Sequence, residues 1–110
     1  MIEVHVEILG VGTAWGTLKQ QTGQAEIKWL FISYDQRGHG HGRRLLDALE
    51  ARLAHRGAGE VHTIADAIDA SVATATYIPQ LVEWYERRGY THHGEQRLSK
   101  TLAATAPSGT

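Results

Sequence analysis

The stretch Arg37-Gly38-His39-Gly40-His41-Gly42 constrains this chain more than any other feature. It stands directly behind the apolar run Glu26–Ser33 (EIKWLFIS). Directly after it come leucines at helical spacing: Leu45, Leu46, Leu49 and Leu53. EIKWLFIS is rich in β-branched and aromatic residues and too short for a core helix, so a strand is expected. Arg44, Asp47, Glu50 and Arg52 fall largely off the leucine face, as in an amphipathic surface helix, and Gly57 or Gly59 supplies the stop. A strand that feeds glycines and then a helix is a recurring device for holding phosphate. The first N–H groups of the helix point at the anion, the macrodipole favours negative charge, and glycine lets the backbone come close. Arg37, Arg43 and Arg44 add fixed positive charge around the loop. Taken alone, such a glycine triplet is equally compatible with a flexible connection.

Spacing narrows the ligand. A Walker loop needs Gly-Lys-Ser or Gly-Lys-Thr, whereas Gly42 is followed by Arg43-Arg44. The dinucleotide pattern Gly-x-Gly-x-x-Gly is met by neither Gly38-Gly40 nor Gly40-Gly42. His39 and His41, with His92-His93 elsewhere, invite a metal. The chain has no cysteine and no carboxylate at ligand spacing near them, so no metal site is expected and the histidines read as solvated loop residues.

Around this centre, Ile2–Leu9 alternates apolar and polar residues with period two, and Ala14–Gln20 follows as a second strand after Gly10 and Gly12. Thr22-Gly23 is a turn signal, and Val61–Ala67 is a fourth strand. Pro79 fits the first turn of a second helix carrying Leu81, Val82, Trp84 and Tyr85 and ending at Gly89. Tyr90–Glu95 and Arg97–Leu102 close the order β-β-β-α-β-α-β-β, an α/β (α+β) arrangement in one domain, 1–102. Asp69–Ile78 has no clear period and reads equally as loop or short helix. Ala103–Thr110 is expected to be a disordered tail. With 42% apolar and 21% charged residues and a net charge of −1, the chain has the composition of a soluble globular protein. Neither nucleic acid nor a membrane surface is an expected partner. No apolar run approaches membrane-spanning length, and no signal peptide is read at the N-terminus. The lack of cysteine is compatible with a reducing compartment, and the expected location is cytoplasmic.

Arg37, Gly40 and Gly42 fill the fixed positions of the coenzyme A signature Arg/Gln-x-x-Gly-x-Gly/Ala. Trp84-Tyr85-Glu86-Arg87-Arg88-Gly89-Tyr90 is similar to a Tyr-x-x-x-Gly-Phe/Tyr element. With the order of elements, the chain resembles the GNAT superfamily of acyl-CoA-dependent N-acyltransferases over roughly residues 2–102. The resemblance implies a mixed, mostly antiparallel sheet and acetyl-CoA as co-substrate, without metal. It implies that backbone at Phe31 and Ile32 pairs with the pantetheine arm, while Arg37, Gly38, His39, Gly40, His41, Gly42 and Arg43 cradle the pyrophosphate. It places Tyr85, four residues before Gly89, as general acid for the leaving thiolate, against the plainer reading of one more buried helix aromatic. Glu26, eleven residues before Arg37, occupies the position of a catalytic glutamate in histone-acetylating members, where many relatives use an acid only for positioning. Period two groups Glu26 with Lys28, Leu30 and Ile32 on one face unless a bulge intervenes. The implied reaction is acetyl transfer to a primary amine of a small molecule or protein; the alternative is a non-catalytic acyl-CoA-binding module. Two departures stand out. Tyr77 occupies a place where many relatives carry asparagine, and the family's first strand and two helices have no counterpart. An open acceptor groove, or closure by another protein or by a second copy, is therefore expected, with a homodimer as the assembly.

Overall fold

The computed structural model describes residues 1–36, 38–65 and 74–102. Six strands form one sheet in the order β1-β2-β3-β4-β6-β5, from β1 (Ile2–Ile8), β2 (Gly12–Lys19), β3 (Gln24–Ile32), β4 (Glu60–Ile64), β5 (Thr91–His92) and β6 (Arg97–Thr101). Every neighbouring pair is antiparallel except β3 and β4, which the helix α1 (His41–His55) connects in parallel. A second helix, α2 (Thr74–Glu86), follows β4, and a single turn of 3-10 helix spans Tyr34–Gln36.

The alternation in β1 works as its sequence predicts: Val4 and Val6 are buried while Glu3, His5 and Glu7 are exposed. Their register partners carry the same face across β2, with Val4 opposite Gly16, Val6 opposite Ala14 and Ile2 opposite Leu18. Helix α1 packs on β1, β2 and β3, and Leu45, Leu46, Leu49 and Leu53 are essentially inaccessible to solvent. Burying a leucine contributes about 1.5–3 kcal/mol, so this stripe is a main anchor of the helix. Both helices end in the same way. Gly57 N–H and Ala58 N–H return to the carbonyls of Ala54 and Leu53, and Gly89 N–H and Tyr90 N–H return to those of Glu86 and Tyr85. These paired bonds cap the last turn and need a left-handed residue at the glycine, where φ is 109° and 94°.

Four expectations are corrected. Glu50, assigned to the solvent side of α1, is buried, because it lies four residues after Leu46 and three before Leu53 and so shares their face. Helix α2 starts at Thr74 rather than at Pro79, which stands inside it; proline there removes one helical hydrogen bond without ending the helix. The strand expected over Tyr90–Glu95 shrinks to Thr91–His92, because Gly94 and Glu95 both take positive φ and turn the chain. The fourth strand begins at Glu60 and ends at Ile64; the end of its expected span, like the tail 103–110 and the first half of Asp69–Ile78, lies outside the described residues, while the second half of that stretch opens α2. No helix among the described residues is long and apolar enough to cross a membrane.

Candidate active site

The site begins where a ladder stops. β3 and β4 pair only from Gln24 opposite Glu60 to Glu26 opposite His62. β4 stays paired to β6 as far as Ile64, and β3 stays paired to β2 as far as Ile32, so the two parallel strands part from Ile27 and Thr63 onward. A β-bulge reinforces the change. Ile27 stands opposite Gly16 and Trp29 opposite Trp15, which leaves Lys28 as the extra residue. The bulge resolves the period-two expectation. Glu26 shares the face of Trp29 and Phe31, whereas Leu30 and Ile32 continue the face of Ala25 and Ile27.

A cavity of about 970 Å³ fills this gap, toward the upper end of the usual range for small-molecule and cofactor pockets. β3 lines it from Glu26 to Ile32, Thr63 and Ile64 line it from β4, the loop and first turn of α1 close one end, and Leu81, Trp84, Tyr85 and Arg88 form the wall beyond. Gly38 and Gly40 hold φ of 82° and 81°, which side chains rarely adopt, and a Cβ on either would point into open space. Gly40 is the N-cap of α1 and offers no side-chain cap to the first-turn N–H groups, and Gly40, His41, Gly42 and Arg43 line the cavity. Gly42 serves a different purpose: a Cβ there would lie 3.3 Å from Trp84 Cζ2, so its absence lets α2 lie close against the start of α1. His39 and His41 stack at 6.0 Å, and Arg44 Nη1 lies 3.2 Å from His41 Nδ1. Arg43 leans toward Asp47 at 3.9 Å. Arg37 lies outside the described residues. No cluster of metal-ligating side chains occurs among the described residues.

Tyr85 is buried, 3% exposed, at the wall of the cavity, with its ring edge-on to Trp84 and to Tyr90, each at 5.1 Å. Glu26 also lines the cavity, partly exposed, and its carboxylate is ion-paired with Lys28 at 2.8 Å. Phe31 and Ile32 stand on the splayed part of β3. The fold thus brings Gly38, Gly40, His41, Gly42 and Arg43, the strand positions, Tyr85 and Glu26 around one cavity, whereas the expected cradle residue His39 is not among the residues that line it.

Sequence reading missed the group behind Tyr85. Tyr90 Oη donates to Glu50 Oε2 at 2.6 Å, and Lys100 Nζ donates to Glu50 Oε1 at 2.9 Å. Burial, helped by the hydrogen bond to the Glu50 carboxylate, holds the Tyr90 phenol well above the ordinary tyrosine range. The available signal was positional, since Glu50 lies four residues after Leu46 and three before Leu53, but Arg52, three residues after Leu49, has similar spacing and is exposed. The second omission is Arg88, which lines the cavity wall.

A family model described as acetyltransferase (GNAT) domain matches residues 2–92. The chain belongs to the GNAT acetyltransferase family. Among curated proteins this GNAT chain is similar to the S-(2-succino)cysteine N-acetyltransferase of Bacillus subtilis (strain 168), 35% identical over 86 residues. That match covers 78% of this chain and 48% of the relative, so the chain spans about half the length of the curated relative it matches. Among solved structures, an acetyltransferase from Bacillus cereus ATCC 14579 superposes with a TM-score of 0.73 at 19% identity, covering 92% of this chain and 74% of that one. The anti-CRISPR protein AcrVA5 superposes with a TM-score of 0.69 at 13% identity, covering 92% of this chain and 100% of its own. At these identities the structures report the GNAT fold alone, including the mixed, mostly antiparallel sheet that the sequence implied.

Proposed function

We propose that this protein is an acetyl-CoA-dependent N-acetyltransferase acting on a primary amine. The observation that carries this reading is the continuous cavity that runs from an uncapped, glycine-opened helix N-terminus, between two splayed parallel strands, to a buried tyrosine. The residues present suit coenzyme A. Gly38–Arg43 supply N–H groups, positive charge and open space for the pyrophosphate, with Arg37 adjoining them in sequence. β3 near Phe31 and Ile32 supplies a wall along which the pantetheine arm extends. When bound, acetyl-CoA supplies the acyl group as a thioester. Tyr85 is the group proposed to protonate the departing thiolate, and burial among aromatic rings keeps its position fixed. Glu26 is proposed to take the proton from the incoming ammonium, directly or through water, since an amine with a pKa near about 10.4 attacks only once deprotonated. Lys28 holds that carboxylate at the mouth of the gap.

The acceptor named for the Bacillus subtilis relative is S-(2-succino)cysteine, and the α-amine of a carboxylate-bearing amino acid is the first acceptor to try here. Self-association is part of the same proposal. His5 stacks on Trp15 at 5.5 Å, Trp29 is 40% exposed beside them, and a symmetric dimer through this face is the assembly we infer. Light scattering that finds only monomer at every concentration rejects that part.

Thiol release from acetyl-CoA, measured against amino acids, polyamines, aminoglycosides and lysine peptides, tests the reaction. Release with any acceptor supports it, while coenzyme A binding with no release against the whole panel favours the non-catalytic module. With an active acceptor, Glu26→Gln is expected to lower turnover at neutral pH by about 10²–10⁴-fold and to recover partly at high pH, where the amine ionises unaided. A pH profile parallel to wild type removes Glu26 from the chemistry.

A further inference from the structure

Arg88 is placed oddly for a surface arginine. It follows α2 by two residues, and its Nη1 donates to the carbonyl of Trp84 at 3.0 Å while Cζ lies 4.2 Å from the centre of the Trp84 ring. Its Nε is sealed from solvent with no acceptor. A guanidinium carries five N–H donors and a permanent charge, and an unmet donor of a charged group is costly to bury. Helix capping explains one of the five.

The neighbouring charges do not answer the rest. Glu83, one turn back, is taken by Arg87 at 3.2 Å. Of the other charged side chains that line the cavity, Glu26 is matched by Lys28 at 2.8 Å and Arg43 leans on Asp47. Arg88 also lines the cavity, and no carboxylate among the described residues pairs with it. Among the described residues no carboxylate compensates this partly desolvated guanidinium, which lies over the Trp84 ring on the wall that holds Tyr85. The contact over Trp84 and the bond to the Trp84 carbonyl hold the guanidinium at the wall, and a held fork is suited to two-point recognition of a planar or tetrahedral oxyanion.

We propose that Arg88 is an anion-binding residue of this cavity, taking a phosphate or carboxylate oxyanion of a bound small molecule. Two sources have this chemistry: the 3′-phosphate of coenzyme A, which lies outside the pyrophosphate cradle, and a side-chain carboxylate of the amine acceptor. The proposal rests on the acetyl-transfer reading above, but its test does not depend on turnover.

The experiment compares wild type, Arg88→Met and Arg88→Lys. Met keeps much of the apolar stem over Trp84, and Lys keeps the charge without the fork; melting curves first establish that each variant is folded. Calorimetric titration with coenzyme A and with dephospho-coenzyme A forms one arm. Titration of the coenzyme-loaded protein with aspartate and with asparagine forms the other. Losing a charged hydrogen-bonding partner corresponds to about a 10- to 100-fold weaker dissociation constant. If Arg88→Met weakens coenzyme A by that factor and leaves dephospho-coenzyme A unchanged, the oxyanion is the 3′-phosphate. If coenzyme A is unchanged and a wild-type preference for aspartate over asparagine is lost, it is the acceptor carboxylate. Arg88→Lys is expected to fall between Met and wild type in whichever arm responds. If neither arm moves, including the case where wild type shows no preference for aspartate, the proposal is wrong and Arg88 is a helix cap. Wild-type protein that binds no coenzyme A at all overturns instead the acetyl-transfer reading.

Discussion

The two halves of β3 are one continuous strand with opposite duties. From Gln24 to Glu26 it is laddered on both sides, to β2 and to β4, with Ala25 opposite Leu18 on one side and Val61 on the other. From Ile27 onward β2 remains but β4 has turned away, and the bulge at Lys28 changes which residues face the cavity. The first half contributes the joint that makes six strands one sheet. The second contributes a site because β4 no longer runs beside it. Where a parallel ladder ends early, strand backbone faces a gap in which a ligand, water or other chain groups can meet it.

The sharpest way to break the contrast is to disable the open half and leave the closed half intact. Gly40→Glu places a side chain and a negative charge where φ is 81° and no Cβ now stands, at the head of α1. Saturating coenzyme A is expected to raise the melting temperature of wild type and to leave this variant unmoved. A preserved shift in Gly40→Glu means that the helix N-terminus is not the phosphate cradle. Next in size is Tyr85→Phe, which removes a hydroxyl and keeps the ring against Trp84 and Tyr90. Turnover is expected to fall about 10²–10⁴-fold with little change in melting temperature or coenzyme affinity. Full turnover with chemistry shown to be rate-limiting makes Tyr85 a packing residue. The closed half should respond in the opposite way. Leu18, inaccessible to solvent and opposite both Ile2 and Ala25, becomes a cavity in Leu18→Ala. Urea denaturation is expected to show a loss of about 2–5 kcal/mol, while the folded fraction binds coenzyme A as wild type does. A large affinity loss in Leu18→Ala unites the two halves and ends the distinction.

Much of this arrangement is legible in the amino-acid sequence. The alternation of Ile2–Leu9, the leucine spacing after Gly42 and the glycine stops at 57 and 89 each state a local preference that the tertiary fold agrees with. The loop itself is legible for the same reason, since left-handed φ at Gly38 and Gly40 is a backbone demand that only glycine meets cheaply. What escapes is relational. A bulge at Lys28 depends on the register of β2 against β3, and no property of EIKWLFIS alone fixes it. Pro79 reads as a helix start because proline is favoured there, yet the helix extends before it and tolerates the lost bond. Glu50 is charged, and charge argues for solvent; its burial depends on Tyr90 and Lys100, forty and fifty residues away.

That last group sharpens the comparison from behind the open half. The closed half of β3 is held by apolar packing, whereas Tyr85 is backed by Tyr90, whose phenol is tied to a buried carboxylate. Tyr90→Phe keeps the ring and removes the donor, leaving Glu50 with Lys100 alone. The expected cost at neutral pH is about 1.5–3 kcal/mol, the usual value of a hydrogen bond to a charged group. The sign with pH follows from burial. The folded phenol titrates above its unfolded value of about 10. Below that pH both states keep the proton and the contribution of Tyr90 is fully present. Above it the unfolded chain releases a proton that the folded protein retains. Stability then falls by up to about 1.4 kcal/mol per pH unit from this group, until the folded phenol also ionises. Tyr90→Phe should therefore be less stable than wild type at pH 7, yet lose less on going from pH 10 to pH 11. Denaturation midpoints at the three pH values measure both quantities. Other tyrosines and lysines titrate in the same range in both proteins, so the difference between the two curves isolates Tyr90. Parallel curves mean that the Tyr90 phenol ionises as readily in the folded protein as in the unfolded chain. The polar brace behind Tyr85 is then looser than the distance of 2.6 Å to Glu50 implies.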